Sequence, residues 1–254
     1  MSLTIKKEIG LFTTVVIGLS IIISFISYKL DNNNLSFLIV FTPTITAFIL
    51  TLLYRGKKDV YDLFVIQTIQ KFNPKWLIIS VFGIPLIAFI SIVTTLNFDV
   101  SLVGLRTTQL IPQFVVIILI ALGEEYGWRA YLLPRLLNKF NFFYSSLILG
   151  FVWGFWHFPG YLIKTGVPLE MSFFLFFLWV ILATLFINWI YLNTKSVLTS
   201  IIIHISANIA FNYLLLLPEF TGSSIEFLVF VIYLLIFILF VLFINRNNFF
   251  IQYK

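Results

Sequence analysis

Glu124-Glu125-Tyr126-Gly127-Trp128-Arg129 sets two carboxylates and a guanidinium inside an apolar run that starts near Gln109 and ends near Pro134. A run of that length and composition is a membrane span. A charged side chain at mid-bilayer costs about 2.5–3.5 kcal/mol even on the mildest insertion scale. Ionisable residues kept at that depth mark a functional site, or else an ion pair that holds two helices together.

The flanking sequence has the same character. Of 254 residues, 61% are hydrophobic and 10% charged, and the mean hydropathy is +1.06. Apolar runs at roughly 9–28, 35–54, 76–96, 109–132, 145–163, 172–193, 198–217 and 227–244 predict an all-α fold. We expect a polytopic transmembrane bundle of about eight helices, forming one integral-membrane domain over 1–254 with its motif-bearing core at about 109–217. The chain has no cysteine, which excludes disulfides, thiolate metal sites and a cysteine nucleophile. Ser27-Tyr28-Lys29-Leu30-Asp31 offers no small-x-small cleavage site, so the first apolar run reads as a retained anchor.

Charge placement predicts orientation. With alternating spans, Lys6, Lys7, Arg55, Lys57, Lys58, Lys71, Lys75, Arg135, Lys139, Lys195, Arg246 and Lys254 fall at one end, against Lys29, Arg106 and Lys164 at the other. The positive-inside rule puts both termini in the cytoplasm of a multi-pass cell-membrane protein. The net charge of +6 then records topology and contact with anionic lipid, not nucleic acid. The longest inner segment, Arg55 to Lys75, has apolar residues that do not gather on one helical face, so it carries only a weak interfacial-helix pattern.

Both histidines of the chain lie within spans, in Trp153-Gly154-Phe155-Trp156-His157-Phe158-Pro159 and in Ser200-Ile201-Ile202-Ile203-His204-Ile205-Ser206-Ala207-Asn208. Helical spacing assigns faces. Glu125 and Arg129 are four apart in the order that favours an ion pair on one helix, and Glu124 is turned about 100° away. His204 and Asn208 share a face that Ser200 and Asn212 extend. Gly150 and Gly154 let another helix come close, and Pro159 is expected to kink or end its helix. At 1.5 Å per residue, Glu124 lies ~15 Å, His157 ~18 Å and His204 ~10 Å from the inner ends of their spans. All three can meet in one cavity, which this reckoning puts in the cytoplasmic half of the membrane.

A glutamate, two histidines and an amide in a buried cavity suit hydrolysis, with a carboxylate to activate water and donors for a tetrahedral oxyanion. Other intramembrane protease chemistries fit poorly. The sequence has no His-Glu-x-x-His and no Gly-x-Ser-x-Gly, and Asp31, Asp59, Asp62 and Asp99 all fall in predicted loops.

Glu124-Glu125-x-x-x-Arg129 resembles the first motif of the CPBP intramembrane proteases, a family that includes CAAX prenyl endopeptidases and bacterial Abi and bacteriocin-immunity proteins. His204-x-x-x-Asn208 is similar to the family's third motif. The second, usually Phe-x-x-x-His, reads Trp153-x-x-x-His157 here, an exchange of one aromatic for another. The ordered set covers roughly residues 121–210. The resemblance implies an intramembrane endopeptidase cleaving a protein or peptide substrate near the cytoplasmic face. It implies Glu124 as general base, His157 positioning the water, His204 and Asn208 stabilising the oxyanion, and Glu125 and Arg129 supporting them. The family is often described as metalloproteases, and Glu124, His157 and His204 could hold zinc with one position open. That would consume the best general base as a ligand, so the reading favours a glutamate-activated water with no required cofactor. Two alternatives from other classes are a non-catalytic immunity or binding protein that keeps the polar site as a structural knot, and a small proton-coupled transporter. The transporter reading lacks the paired broken helices and repeat symmetry such folds use.

Overall fold

The computed structural model describes residues 4–97, 99, 105 and 110–250. Arg106, Lys254 and Gln109, which entered the charge and span assignments, lie outside them. The chain builds helices α1 (Ile5–Lys29), α2 (Thr42–Tyr54), α3 (Lys57–Tyr61), α4 (Lys75–Thr95), α5 (Leu110–Glu125), α6 (Leu133–Leu137), α7 (Phe142–Leu162), α8 (Phe173–Thr194), α9 (Val197–Tyr213), α10 (Pro218–Thr221), α11 (Ile225–Ile244) and α12 (Arg246–Phe249). A 3-10 segment, Asn33–Phe41, leads into α2, and π-helical segments Asp62–Ile66 and Tyr126–Leu132 follow α3 and α5.

The fold is all-α, and each of the eight apolar runs is helical at its centre. Among the described residues six helical stretches are long and apolar enough to cross a membrane. The other two runs are α7, 21 residues diluted by Gly, Trp, His and Pro, and α9, which at 17 residues is shorter than a full span. These are the helices that carry the histidines, so the chemistry accounts for their lower hydropathy. Two expectations need correction. Helix α7, expected to kink or end at Pro159, runs through the proline and ends three residues later at Leu162. The inner segment after Arg55 is ordered as α3 and its π continuation, so Asp59 and Asp62 are helical.

Helix α8 is the central element, with 61% of its apolar window buried against 22% for α1. It packs on α7, α9 and α11, and α9 packs in turn on α4 and α5. Glycines set the closest approaches. A Cβ on Gly154 would fall 2.5 Å from the Phe177 ring, and one on Gly150 would fall 3.1 Å from the Ile181 backbone, as their spacing predicted. Helix α1 buries Glu8, Phe12, Val16, Ser20, Ser24 and Ser27, a stripe at helical period whose small hydroxylic half lets α7 close on it. There Ser20 Oγ donates to the Trp156 carbonyl at 2.8 Å.

At the basic end, three elements are tied by one buried acid. Glu8 Oε1 accepts from Arg55 at 2.6 Å and Oε2 from Arg135 at 2.5 Å, and the Arg135 guanidinium also lies on the Tyr131 ring at 3.5 Å. Replacing Glu8 with Gln should lower the melting temperature in detergent by several degrees, about 1–2 kcal/mol once the 39% exposure of the Arg55 side chain is discounted. An unchanged melting temperature would show that this tie does not hold the bundle.

Candidate functional site

The motif helix is built to be approached. Gly123 and Gly127 bracket the acid pair, and a Cβ on Gly123 would sit 2.8 Å from the Val40 carbonyl oxygen, while one on Gly127 would overlap Pro43. The 3-10 segment and the start of α2 therefore press directly on the motif helix at Gly123 and Gly127, which flank Glu124 and Glu125. Hydrogen bonding changes from α to π register immediately after Glu125, and π segments concentrate at functional sites. Pro134 contributes to the irregularity because it has no N–H to give the Ala130 carbonyl, which accepts from Gln67 Nε2 at 3.4 Å.

The predicted ion pair is present. Arg129 Nη1 donates to Glu125 Oε1 at 2.8 Å, and both side chains are fully buried. The same oxygen meets His204 Nδ1 at 2.7 Å, a cross-helix contact that residue spacing on α5 could not reveal. Glu124 points elsewhere, as its helical position predicted. Its Oε2 accepts from Trp153 Nε1 at 2.7 Å, and the residue lines a cavity of about 440 Å³.

His157, His204 and Asn208 line that cavity with Glu124, so all four candidate catalytic residues are brought together. Glu125 and Arg129 lie behind them. The His157 ring packs among aromatics, 4.7 Å from Trp156 and 5.0 Å from Phe176 between ring centres. Asn208 Nδ2 is buried with no hydrogen-bond partner, a donor held ready beside the cavity. Asn212, expected to extend the α9 stripe, donates Nδ2 to the Asn208 carbonyl at 2.8 Å, and the Ser200 hydroxyl is buried behind the site.

Trp153 is the residue whose importance the sequence reading underrated. Treating it as one aromatic for another overlooked that indole has an N–H and phenyl has none. The ring is fixed on two sides, by the Arg129 guanidinium 4.3 Å from its centre and by the His204 ring at 5.6 Å, and its N–H is aimed at Glu124. The two halves of the motif helix are thus linked, Glu125 through Arg129 to Trp153 and on to Glu124.

The cavity opens toward one end of the bundle. Its outer lining comes from Ser36 in the 3-10 segment, Thr165, Gly166 and Pro168 after α7, and Leu217 and Glu219 after α9. All of these lie at the end of the bundle opposite Glu8, Arg55 and Arg135. The basic end is closed beneath the site by Gln67 and Thr68. Gln67 Oε1 accepts from Tyr191 at 2.9 Å, the Gln67 carbonyl from Val197 N at 2.8 Å and the Thr68 carbonyl from Ser196 at 3.0 Å, while the Thr68 hydroxyl meets Tyr126 at 3.0 Å. Helical rise carries no information on which loops leave the cavity open.

As for a metal, no three of the His, Asp and Glu side chains among the described residues are grouped so that they could hold an ion. His204 Nδ1 is taken by Glu125 and one Glu124 oxygen by Trp153. Both contacts leave the second donor atom of each side chain free, so what bears on a metal is the grouping, and the described side chains do not form the cluster that zinc requires.

A profile of the type II CAAX prenyl endopeptidase Rce1-like family matches residues 106–210, the stretch that holds all three motifs. The chain is also similar to the CAAX prenyl protease 2 of Methanococcus maripaludis, 24% identical over 205 residues that cover 73% of this chain and 76% of that protein.

Trp153→Phe, which restores the usual second-motif residue, should lower kcat about tenfold while leaving KM and the melting temperature near wild type, because only the hydrogen bond to Glu124 is lost. A fall in stability without a change in kcat would make Trp153 a packing residue. Arg129→Ala should cost about 3–5 kcal/mol by leaving Glu125 buried and unpaired, and Glu125→Gln combined with Arg129→Gln should be more stable than Arg129→Ala alone. Strictly additive effects in thermal unfolding would dissolve the pair. With its motifs drawn into one buried cavity and these two likenesses spanning it, the chain is similar to the type II CAAX prenyl endopeptidase Rce1-like proteins over residues 106–210.

Proposed function

We propose that this protein is an intramembrane endopeptidase that hydrolyses a peptide bond with water activated by Glu124. The observation that carries the reading is the separation of duties between adjacent acids. Glu125 is committed to Arg129 and His204, while Glu124 keeps one oxygen toward the cavity and has the other held by an indole N–H. A carboxylate held in one orientation beside a cavity is what a general base requires.

In the proposed reaction Glu124 takes a proton from a water that His157 helps to position, and the water oxygen attacks the scissile carbonyl. The carbonyl oxygen becomes an oxyanion that accepts from Asn208 Nδ2, and from His204 Nε2 when that ring carries both protons. The proton held by Glu124 passes to the departing amine as the C–N bond breaks, which returns the carboxylate. The His204, Glu125 and Trp153 contacts fix the rings and carboxylate around the reacting atoms before substrate arrives, and preorganisation of this kind is the main source of electrostatic rate enhancement. The mostly apolar lining, with Phe176, Trp179 and Phe211 among the walls, suits a substrate with apolar side chains beside the cleaved bond.

Glu124→Gln should reduce cleavage by about 10²–10⁴-fold and Asn208→Ala by about 10²–10³-fold, with normal membrane insertion and purification yield in both cases. Comparing membrane peptides from cells that carry wild type or Glu124→Gln by mass spectrometry would identify the substrate. Wild-type turnover of that substrate by Glu124→Gln in liposomes would end the glutamate-base mechanism. On the donor grouping above, activity should survive prolonged chelation followed by dialysis, with zinc well below one ion per chain. Zinc at one per chain, lost together with activity on chelation and restoring it on return, would reassign Glu124, His157 and His204 as ligands.

A further inference from the structure

We infer that Glu219, which belongs to none of the three motifs, is a positioning residue for His157 and acts through the loop that joins α7 to α8, a role that rests on the protease reading for what His157 does. The contacts start at the imidazole. One ring nitrogen of His157 donates to the backbone carbonyl of Gly166. An N–H given to a carbonyl fixes the rotation of the ring and its tautomer together, so in the neutral ring the other nitrogen keeps its lone pair. His157 lines the cavity, and in this form it accepts a hydrogen from the attacking water while Glu124 takes the other. A ring free to turn would offer the water a donor in place of the acceptor.

The carbonyl that holds His157 is itself held only by its backbone. Nothing lies within 4 Å of where a Cβ on Gly166 would be, so no packing around that residue orients it. On one side the Gly160 carbonyl accepts from Ile163 N at 3.0 Å and Thr165 N at 2.9 Å, which closes α7, and the chain turns back through Lys164 at φ 59° and Gly166 at φ 70°. Glycine adopts the second of these without steric cost. On the other side Val167 and Met171 are buried, and between them the Leu169 N–H donates to Glu219 Oε2 at 2.9 Å. That bond ties the loop to α10, across the mouth that Gly166 and Glu219 both line. Glu219 is exposed, so its carboxylate adds little to the packing of the bundle, and what it orders is the strand of loop that carries the Gly166 carbonyl.

The chain has only two histidines, so their ring nitrogens can be followed by NMR in full-length protein made with isotopically labelled histidine, with His204→Gln to assign the signals. Wild type should show His157 with one protonated and one bare ring nitrogen. Glu219→Ala should draw those two signals toward each other as the tautomers exchange, and should lower kcat about fivefold to tenfold with KM and melting temperature near wild type. Glu219→Gln has an amide oxygen that accepts the same N–H, and should restore both the spectrum and the rate. Gly166→Ala meets no neighbouring atom but is strained at φ 70°, and should reproduce the Glu219→Ala spectrum from the other end of the loop. A His157 spectrum unchanged in both Glu219→Ala and Gly166→Ala overturns the proposal, whatever the activity. So does a Glu219→Gln variant as impaired as Glu219→Ala with KM raised in both, which would make Glu219 a charge that meets substrate. The spectra need no substrate, so a chain without protease activity would lose the reaction and keep the coupling of Glu219 to His157.

Discussion

One carboxylate oxygen organises this site. Glu125 Oε1 receives Arg129 from its own helix and His204 from α9, at 2.8 and 2.7 Å, with Glu125 and Arg129 fully buried. Removing an acid and a base from water costs several kcal/mol per ion, and mutual attraction offsets that only when the geometry is good. The pair meets that condition in part. Glu125 Oε2 and Arg129 Nε and Nη2 are buried without hydrogen-bond partners, so the guanidinium depends on the face of Trp153 for the remainder of its environment. Such an arrangement is poor value as a staple and reasonable as a support, because every group it orders touches a residue of the cavity.

The surrounding fold answers to the same constraint. A buried charge network needs its helices at fixed distance and rotation, and glycine supplies the distance. Gly123 and Gly127 admit the 3-10 segment and α2 on one side of the motif helix, and Gly150 and Gly154 seat α7 against α8 so that Trp153 and His157 face inward. Trp156 then ties α7 to α1 through Ser20 and to α2 through Thr42, which accepts its N–H at 3.1 Å. With no hydrophobic force between helices in lipid, close packing and interhelical hydrogen bonds of this kind carry the assembly.

Which parts of this were legible in the sequence follows from the range of the interactions. Contacts within a helix were readable: Glu125 with Arg129, the shared face of His204 and Asn208, and the small-residue seam on α7 all follow from a period of 3.6. The existence of the spans followed from composition. Contacts between distant segments were not readable, because nothing local specifies that residue 153 meets residue 124 or that 204 meets 125. Trp153 was the nearest miss, since its N–H was visible in the sequence and only its target was not. The Gln67–Thr68 floor was hidden for another reason. It lies in a segment whose apolar residues follow no single period, and its order comes from hydrogen bonds to three other elements.

The contact between His204 and Glu125 also limits what His204 can do. Because the same Glu125 oxygen already accepts from Arg129, the hydrogen in the contact with His204 sits on His204 Nδ1, the usual way a carboxylate fixes an imidazole tautomer. In the neutral ring Nε2 then carries a lone pair, which can orient water but cannot donate to an oxyanion. Donation from Nε2 requires the imidazolium, a form for which the adjacent carboxylate is the natural counter-ion. Asn208 has no such restriction, because its amide donates in any protonation state and its Nδ2 is unpartnered. In the proposed reaction the constant donor is therefore Asn208, and His204 adds a second donor only in the fraction of molecules whose ring holds both protons. In the proposed reaction Glu125 thus acts without touching substrate, by deciding which His204 nitrogen faces the cavity.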